Sequence, residues 1–142
     1  MLIMEKKLLF GTLIGAVAGT VISSIWFMFL FGSQAEQWMT ENAACVRQME
    51  ETPIWAWILA TLVMGFLGAL TLHRLGINDM KKGALTGLYL FGLVGIIMAL
   101  YFFISLKSYQ LSWMPIDVLG NALAGLAGGA ATGWLYGRLK PA

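Results

Sequence analysis

Four stretches of the chain contain no Asp, Glu, Lys or Arg: Leu8 to Phe31, Ile54 to Leu72, Gly83 to Leu106 and Val118 to Tyr136. Each has about 19 residues or more, close to the ~20 that a helix rising 1.5 Å per residue needs to cross a hydrocarbon layer of ~30 Å. Charge is correspondingly scarce, at 11% of 142 residues against 59% hydrophobic, where soluble domains average about 25% charged. Too few polar groups exist to cover a water-facing surface. The expected fold is all-α: a polytopic membrane protein, one four-transmembrane-helix bundle occupying 1–142, with spans at about 8–31, 54–75, 80–106 and 116–138.

The first span resembles a signal peptide in having Lys6 and Lys7 before an apolar run with small residues at Ala16-Val17-Ala18. Its apolar run continues through Trp26 to Phe31, well beyond a signal core of 7–15 residues, so a retained helix is expected. Lys6, Lys7, Arg74, Lys81, Lys82, Arg138 and Lys140 fall at one set of helix ends, and only Arg47 and Lys107 at the other. The positive-inside rule then puts both termini in the cytoplasm. A net charge of +2, concentrated at helix ends, offers nothing to nucleic acid.

The helix boundaries are marked by Pro53 and Pro115 at the starts of the second and fourth helices, by Gly76 after the second, and by Asn78 or Asp79 before the third. Trp26, Trp38, Trp55, Trp57 and Trp113 belong to an outer aromatic belt, Trp134 and Tyr136 to an inner one. In the first outer loop Trp38, Met39, Cys45, Val46 and Met49 recur at helical spacing among Glu36, Glu41 and Arg47, which predicts a short amphipathic helix on the membrane surface. An echo at an offset of 75 pairs Phe27, Ser33, Trp38 and Met39 with Phe102, Ser108, Trp113 and Met114.

The stretch GNALAGLAGGAATGWLYG, Gly120 to Gly137, would be a poor soluble helix, because each glycine costs roughly 1 kcal/mol relative to alanine. In lipid the balance differs. Helices gain little there by burying leucine, and small residues let backbones approach closely. Asn121, Gly125, Gly129, Gly133 and Gly137 form one ridge at a spacing of four; Gly120, Ala124, Gly128 and Thr132 form the next; Gly11, Gly15, Gly19 and Ser23 form one on the first helix. Matching depth in an antiparallel pair predicts Gly11 beside Gly137, Gly15 beside Gly133, Gly19 beside Gly129 and Ser23 beside Gly125. Alternatively, one ridge faces outward and builds a homo-oligomer.

Chemistry-bearing residues are few. Asp117 and Asn121 share a face one turn apart near the outer boundary and form a possible polar site. Asp117 also suits the first turn of its helix, and Asn121 is placed to bond across to Ser23 or Ser24. His73 is the only histidine and a weak candidate for binding a haem or pigment; beside Arg74 it also suits an interfacial position. Cys45 is alone, so neither a CxxC pair nor a zinc site can form. No phosphate-binding loop, HExxH or serine–histidine–aspartate set is present. Catalytic, metal and cofactor assignments are therefore none. An enzyme built from Glu36, Glu41, Asp117 and His73 is disfavoured because His73 lies at the opposite end.

The segments GAVAGTVISSIWFMFLFGSQAEQW, MGFLGAL, KGALTGLYLFGLVGI and GLAGGAATGWLYG resemble a family of bacterial four-helix inner-membrane proteins grouped only as a domain of unknown function. The resemblance implies four spans in a bacterial inner membrane and supplies no activity. Together these readings point to a small structural or interaction protein, acting as an oligomer or as an accessory subunit beside other membrane proteins. The alternative is a small transporter or channel with Asp117 and Asn121 near its outer mouth.

Overall fold

A computed structural model describes residues 2–44, 51 and 53–139. The described residues form helices and loops, with no strand among them. α1 (Leu2–Ile25) continues through a π-helical segment (Trp26–Leu30) toward α2 (Gly32–Glu41). α3 (Ile54–Arg74) and α4 (Met80–Ser105) follow, then a 3₁₀ turn (Leu111–Trp113) leading into α5 (Met114–Arg138). Three helical segments are long and apolar enough to cross a membrane: Lys6–Phe29, Ile54–Arg74 and Met80–Ser105. The chain is thus a helical membrane protein by length and composition.

The distribution of side-chain size supports that reading. Large apolar residues point outward along every long helix, among them Val17, Ile54, Val63, Leu93 and Ile104, each more than half exposed. The interior is made of small ones: Ala16, Ala69 and Ala99 are buried, with glycines on α3, α4 and α5. In water this arrangement would forfeit the hydrophobic effect. In lipid it is favourable, because only backbone proximity distinguishes protein contacts from lipid contacts.

α5 lies at the centre. It packs most extensively on α4, then on α1, and touches α3; α1 also packs on α3, whereas α3 and α4 barely meet. The α3–α4 connection is tight for local reasons. Gly76 adopts φ +66°, the left-handed conformation glycine accepts without steric cost. Ile77 N–H then bonds to Leu72 C=O at 2.9 Å and Gly76 N–H to His73 C=O at 3.1 Å, the paired bonds of a Schellman stop. Asp79 caps α4, its carboxylate accepting from Lys82 N–H at 2.9 Å.

The glycine contacts correct the expected register. A Cβ built at Gly15 would lie 2.7 Å from Thr132 Oγ1, one at Gly11 within 2.5 Å of Tyr136 Oη, and one at Gly19 3.3 Å from the Ala124 carbonyl. α1 therefore lies along the Ala124–Gly128–Thr132–Tyr136 ridge of α5. The neighbouring ridge faces α4: Gly125 and Gly129 meet the backbone of Gly83 and Gly87, Gly133 that of Asp79, and Gly137 that of Asn78. The expected pairs Gly11–Gly137, Gly15–Gly133, Gly19–Gly129 and Ser23–Gly125 do not form, because α5 is rotated so that each of its two small-residue ridges serves a different partner.

The other departures are local. Tyr136 is 1% exposed and belongs to the core rather than to an inner aromatic belt, while Trp134 stays exposed under the Arg138 guanidinium, 5.1 Å from its ring centre. The helix expected after the first span is α2, which ends at Glu41; Trp38 and Met39 lie in it, half-buried, whereas Cys45, Val46, Arg47 and Met49, like Lys140, lie outside the described residues. Trp38 sits in an α-helix and Trp113 in a 3₁₀ turn, so the residues of the offset-75 echo occupy different local structures.

Candidate functional site

Where α1, α3, α4 and α5 converge, a cavity of about 230 Å³ opens among small side chains. Gly15 and Gly19 of α1, Gly65 and Gly68 of α3, and Gly125 and Gly128 of α5 contribute bare backbone to its walls. The space exists because α3 and α4 diverge; one of their few contacts is Phe91, whose ring would meet a Cβ on Gly68 at 3.3 Å. At the end near the α3–α4 connection Leu72, fully buried, closes the cavity. Toward the opposite end it adjoins a second space of about 300 Å³ between α1 and α3, which reaches Ser24, Phe27 and Met28.

Three polar groups inside the bundle clamp one helix to another. Thr132 Oγ1 donates to the Gly11 carbonyl at 3.1 Å, Tyr136 Oη to the Ala69 carbonyl at 3.1 Å, and Trp26 Nε1 to the Ile116 carbonyl at 3.2 Å. The π-helical segment begins at Trp26, whose indole lies so close to Gly120 that a Cβ there would meet Cδ1 at 2.7 Å. Every fully buried side-chain nitrogen or oxygen among the described residues has a partner.

Against known proteins the chain stands apart. No protein-family model, curated protein or solved structure matches it. Any functional reading therefore rests on the geometry of the chain itself.

Asp117 and Asn121 are brought together, and both are engaged. Asp117 Oδ2 accepts a hydrogen bond from Tyr109 Oη in the preceding loop, and Asn121 Nδ2 donates to the Asp117 backbone carbonyl at 2.8 Å. The expected bond from Asn121 to Ser23 or Ser24 does not form, since the carboxamide finds a carbonyl one turn back on its own helix. Its side chain nevertheless borders the central cavity. Burial first, and then the Asp117 carboxylate, push the Tyr109 phenol above its ordinary pKa. His73 is half-buried, with its ring edge-on to Tyr136 at 6.3 Å between centres, far along the bundle from Asp117. Among the described residues no group of His, Cys, Asp and Glu side chains is arranged to hold a metal.

Reading the residues in sequence singled out neither Tyr109 nor the cavity residues Thr20, Thr61 and Phe91, and took Trp57, which also lines the cavity, for a belt aromatic. Tyr109 sits in a loop with no periodic signal, eight positions from its partner. Tyr136, by contrast, had one: it is the next member, at a spacing of four, of the ridge running from Gly120 through Thr132.

Proposed function

We propose that this chain is a small structural or interaction protein of a bacterial inner membrane. It crosses the bilayer four times with both termini in the cytoplasm, and acts as an oligomer or as an accessory subunit of a larger complex. The observation that carries this reading is the destination of the interior polar groups. Thr132, Tyr136 and Trp26 all donate to backbone carbonyls on other helices, which fixes helices against each other. The glycine faces act in the same sense: they are spent on α1–α5 and α4–α5 contacts, so partners engage the large outward side chains of the bundle.

The fourth span is supported by position. α5 is 25 residues long, but it is the helix most enclosed by the others, so it faces protein where the remaining three face lipid. A helix so placed needs small residues more than hydropathy. The basic residues Lys6, Lys7, Arg74, Lys81, Lys82 and Arg138 gather at one end of the bundle, in accord with a cytoplasmic face. The resemblance of the first helix and the closing stretch to bacterial inner-membrane proteins supports the compartment.

Native mass spectrometry after gentle extraction tests the reading. Multiples of 15.5 kDa, or additional subunits, are expected, and a photocrosslinker at outward-facing Leu93 should capture the same neighbour. A lone 15.5 kDa species, together with solute transport in sealed vesicles that is lost in Asp117→Asn, would replace this reading with a transporter.

A further inference from the structure

We propose that the outer half of the central cavity is a binding site for an uncharged molecule drawn from the lipid phase, held through its carbonyl oxygens. The two adjoining spaces share Thr20, Ser23, Trp57 and Thr61. Ser24 borders the second and Asn121 the first. A serine or threonine in an apolar helix ordinarily satisfies its hydroxyl on the carbonyl four residues back. Thr12 and Thr71 do so at 2.8 Å, and Thr132 bonds across to α1. The hydroxyls of Thr20, Ser23, Ser24 and Thr61 make no hydrogen bond among the described residues, while every fully buried polar atom there has a partner. These four therefore keep open faces on the cavity.

Ser23, Ser24 and Thr61 also lie at one depth, level with Asn121, and Thr20 stands about one turn deeper. Thr61 is seven residues from the start of α3 at Ile54, and Asn121 seven from the start of α5 at Met114. Ser23 is seven from the end of the π-helical segment at Leu30. At 1.5 Å per residue each stands about 10 Å inside the outer end of its helix. Unused hydroxyl donors in lipid are costly, and a group of them within about one turn of depth on the facing walls of α1 and α3 is a recognition feature rather than a set of unrelated surface residues.

The chemistry of the lining selects the ligand. No charged residue borders either space, so a phosphate, carboxylate or ammonium would enter uncompensated. Hydroxyls, with the second amide hydrogen of Asn121, supply donors; their complement is an uncharged group rich in acceptors, of which a carbonyl is the simplest. The adjoining spaces, about 230 and 300 Å³, lie just below and at the lower bound for small-molecule sites, ~300–1,000 Å³. They suit a compact polar core, with its tail passing between the diverging α3 and α4 into the bilayer. A glycerol diester and a tailed quinone share this chemistry.

The test uses the purified full chain in neutral detergent, with three probes followed by native mass spectrometry and thermal shift. They are dioctanoylglycerol, a decyl-substituted benzoquinone, and decane as a tail without carbonyls. One saturable adduct per chain is expected for at least one carbonyl probe and none for decane; which probe binds identifies the source. Combining Ser23→Ala with Thr61→Val should weaken binding at least tenfold. Thr71→Val, whose hydroxyl is used locally, should leave it unchanged. Equal binding of decane, no saturable adduct with either carbonyl probe, or a double variant that folds and binds like the parent would each overturn the proposal. The decane comparison uses the unaltered chain and decides even if the double variant fails to fold.

Discussion

Tyr136 concentrates the packing logic of the bundle in one side chain. Its ring fills the space opposite Gly11 and stands nearly perpendicular to His73, and its hydroxyl reaches the Ala69 carbonyl on α3. Tyr136→Phe removes only the hydrogen bond and should cost ~0.6 kcal/mol, the average for such bonds between membrane helices. Tyr136→Ala removes the ring as well and should cost about 3–5 kcal/mol. Unfolding in detergent mixtures distinguishes the two; equal losses would mean that the ring contributes no packing. Tyr109 makes a different prediction, through pH. Its folded pKa lies above the unfolded value of 10.0, by burial and by the Asp117 carboxylate. The protonated phenol is thus the form the fold favours. The stability it confers is fully present below pH ~10 and is lost as pH rises through the higher folded value. The difference in melting temperature between the parent chain and Tyr109→Phe should be constant from neutral pH to ~10 and shrink above it. A difference that instead grew in alkali would refute the assignment. Neither role was legible residue by residue: Tyr136 has the composition of an interfacial aromatic, and only its place on the ridge marks it as core.

At the scale of elements, the sequence made small-residue ridges and helix stops readable because both depend on spacing along one chain. Gly76 and Asp79 end and begin helices through bonds spanning a few residues. The partner of each ridge was not readable, because two adjacent ridges on α5 differ by a rotation about the helix axis that no local pattern records. The observed assignment can be tested by contrast within α4. A Cβ at Gly87 would collide with the Gly125 carbonyl, whereas one at Gly92 would meet Ala122 Cβ at an ordinary 3.6 Å. Gly87→Ala should therefore destabilise the bundle, by about 1–3 kcal/mol as for other overpacked cores. Gly92→Ala should be tolerated, or gain up to ~1 kcal/mol of helix propensity. Gly129→Leu should separate α4 from α5 while sparing the α1 contact, which runs along the neighbouring ridge. Crosslinking yields between cysteines on α1 and α5 in that variant check the distinction.

For the whole molecule, the decisive quantity is which ends of the helices face which side. Four uncharged stretches were legible at once, since charge is excluded wherever a helix meets lipid. What the sequence obscured is that the four are not equivalent. α5, enclosed by its neighbours, carries glycine where the others carry leucine, and the three segments of sufficient apolarity exclude it. If α5 nevertheless spans, Arg138 shares a side with Lys81, and Lys107 lies opposite. Single cysteines at these positions, in a Cys45→Ala background, report this through a membrane-impermeant maleimide. Lys107→Cys should label in intact cells, and Lys81→Cys and Arg138→Cys only after permeabilisation. Labelling of Arg138→Cys from outside, with Lys81→Cys still protected, would give three crossings, and α5 would then have to reach its partners without traversing the bilayer. The contacts of α5 run along most of its length, from Gly120 against Trp26 to Gly137 against Asn78. Trp26 lies near one end of the first apolar segment, Lys6–Phe29, and Asn78 in the connection just before α4 at the other end of the bundle, so contacts of this extent are what the labelling pattern for four crossings would explain.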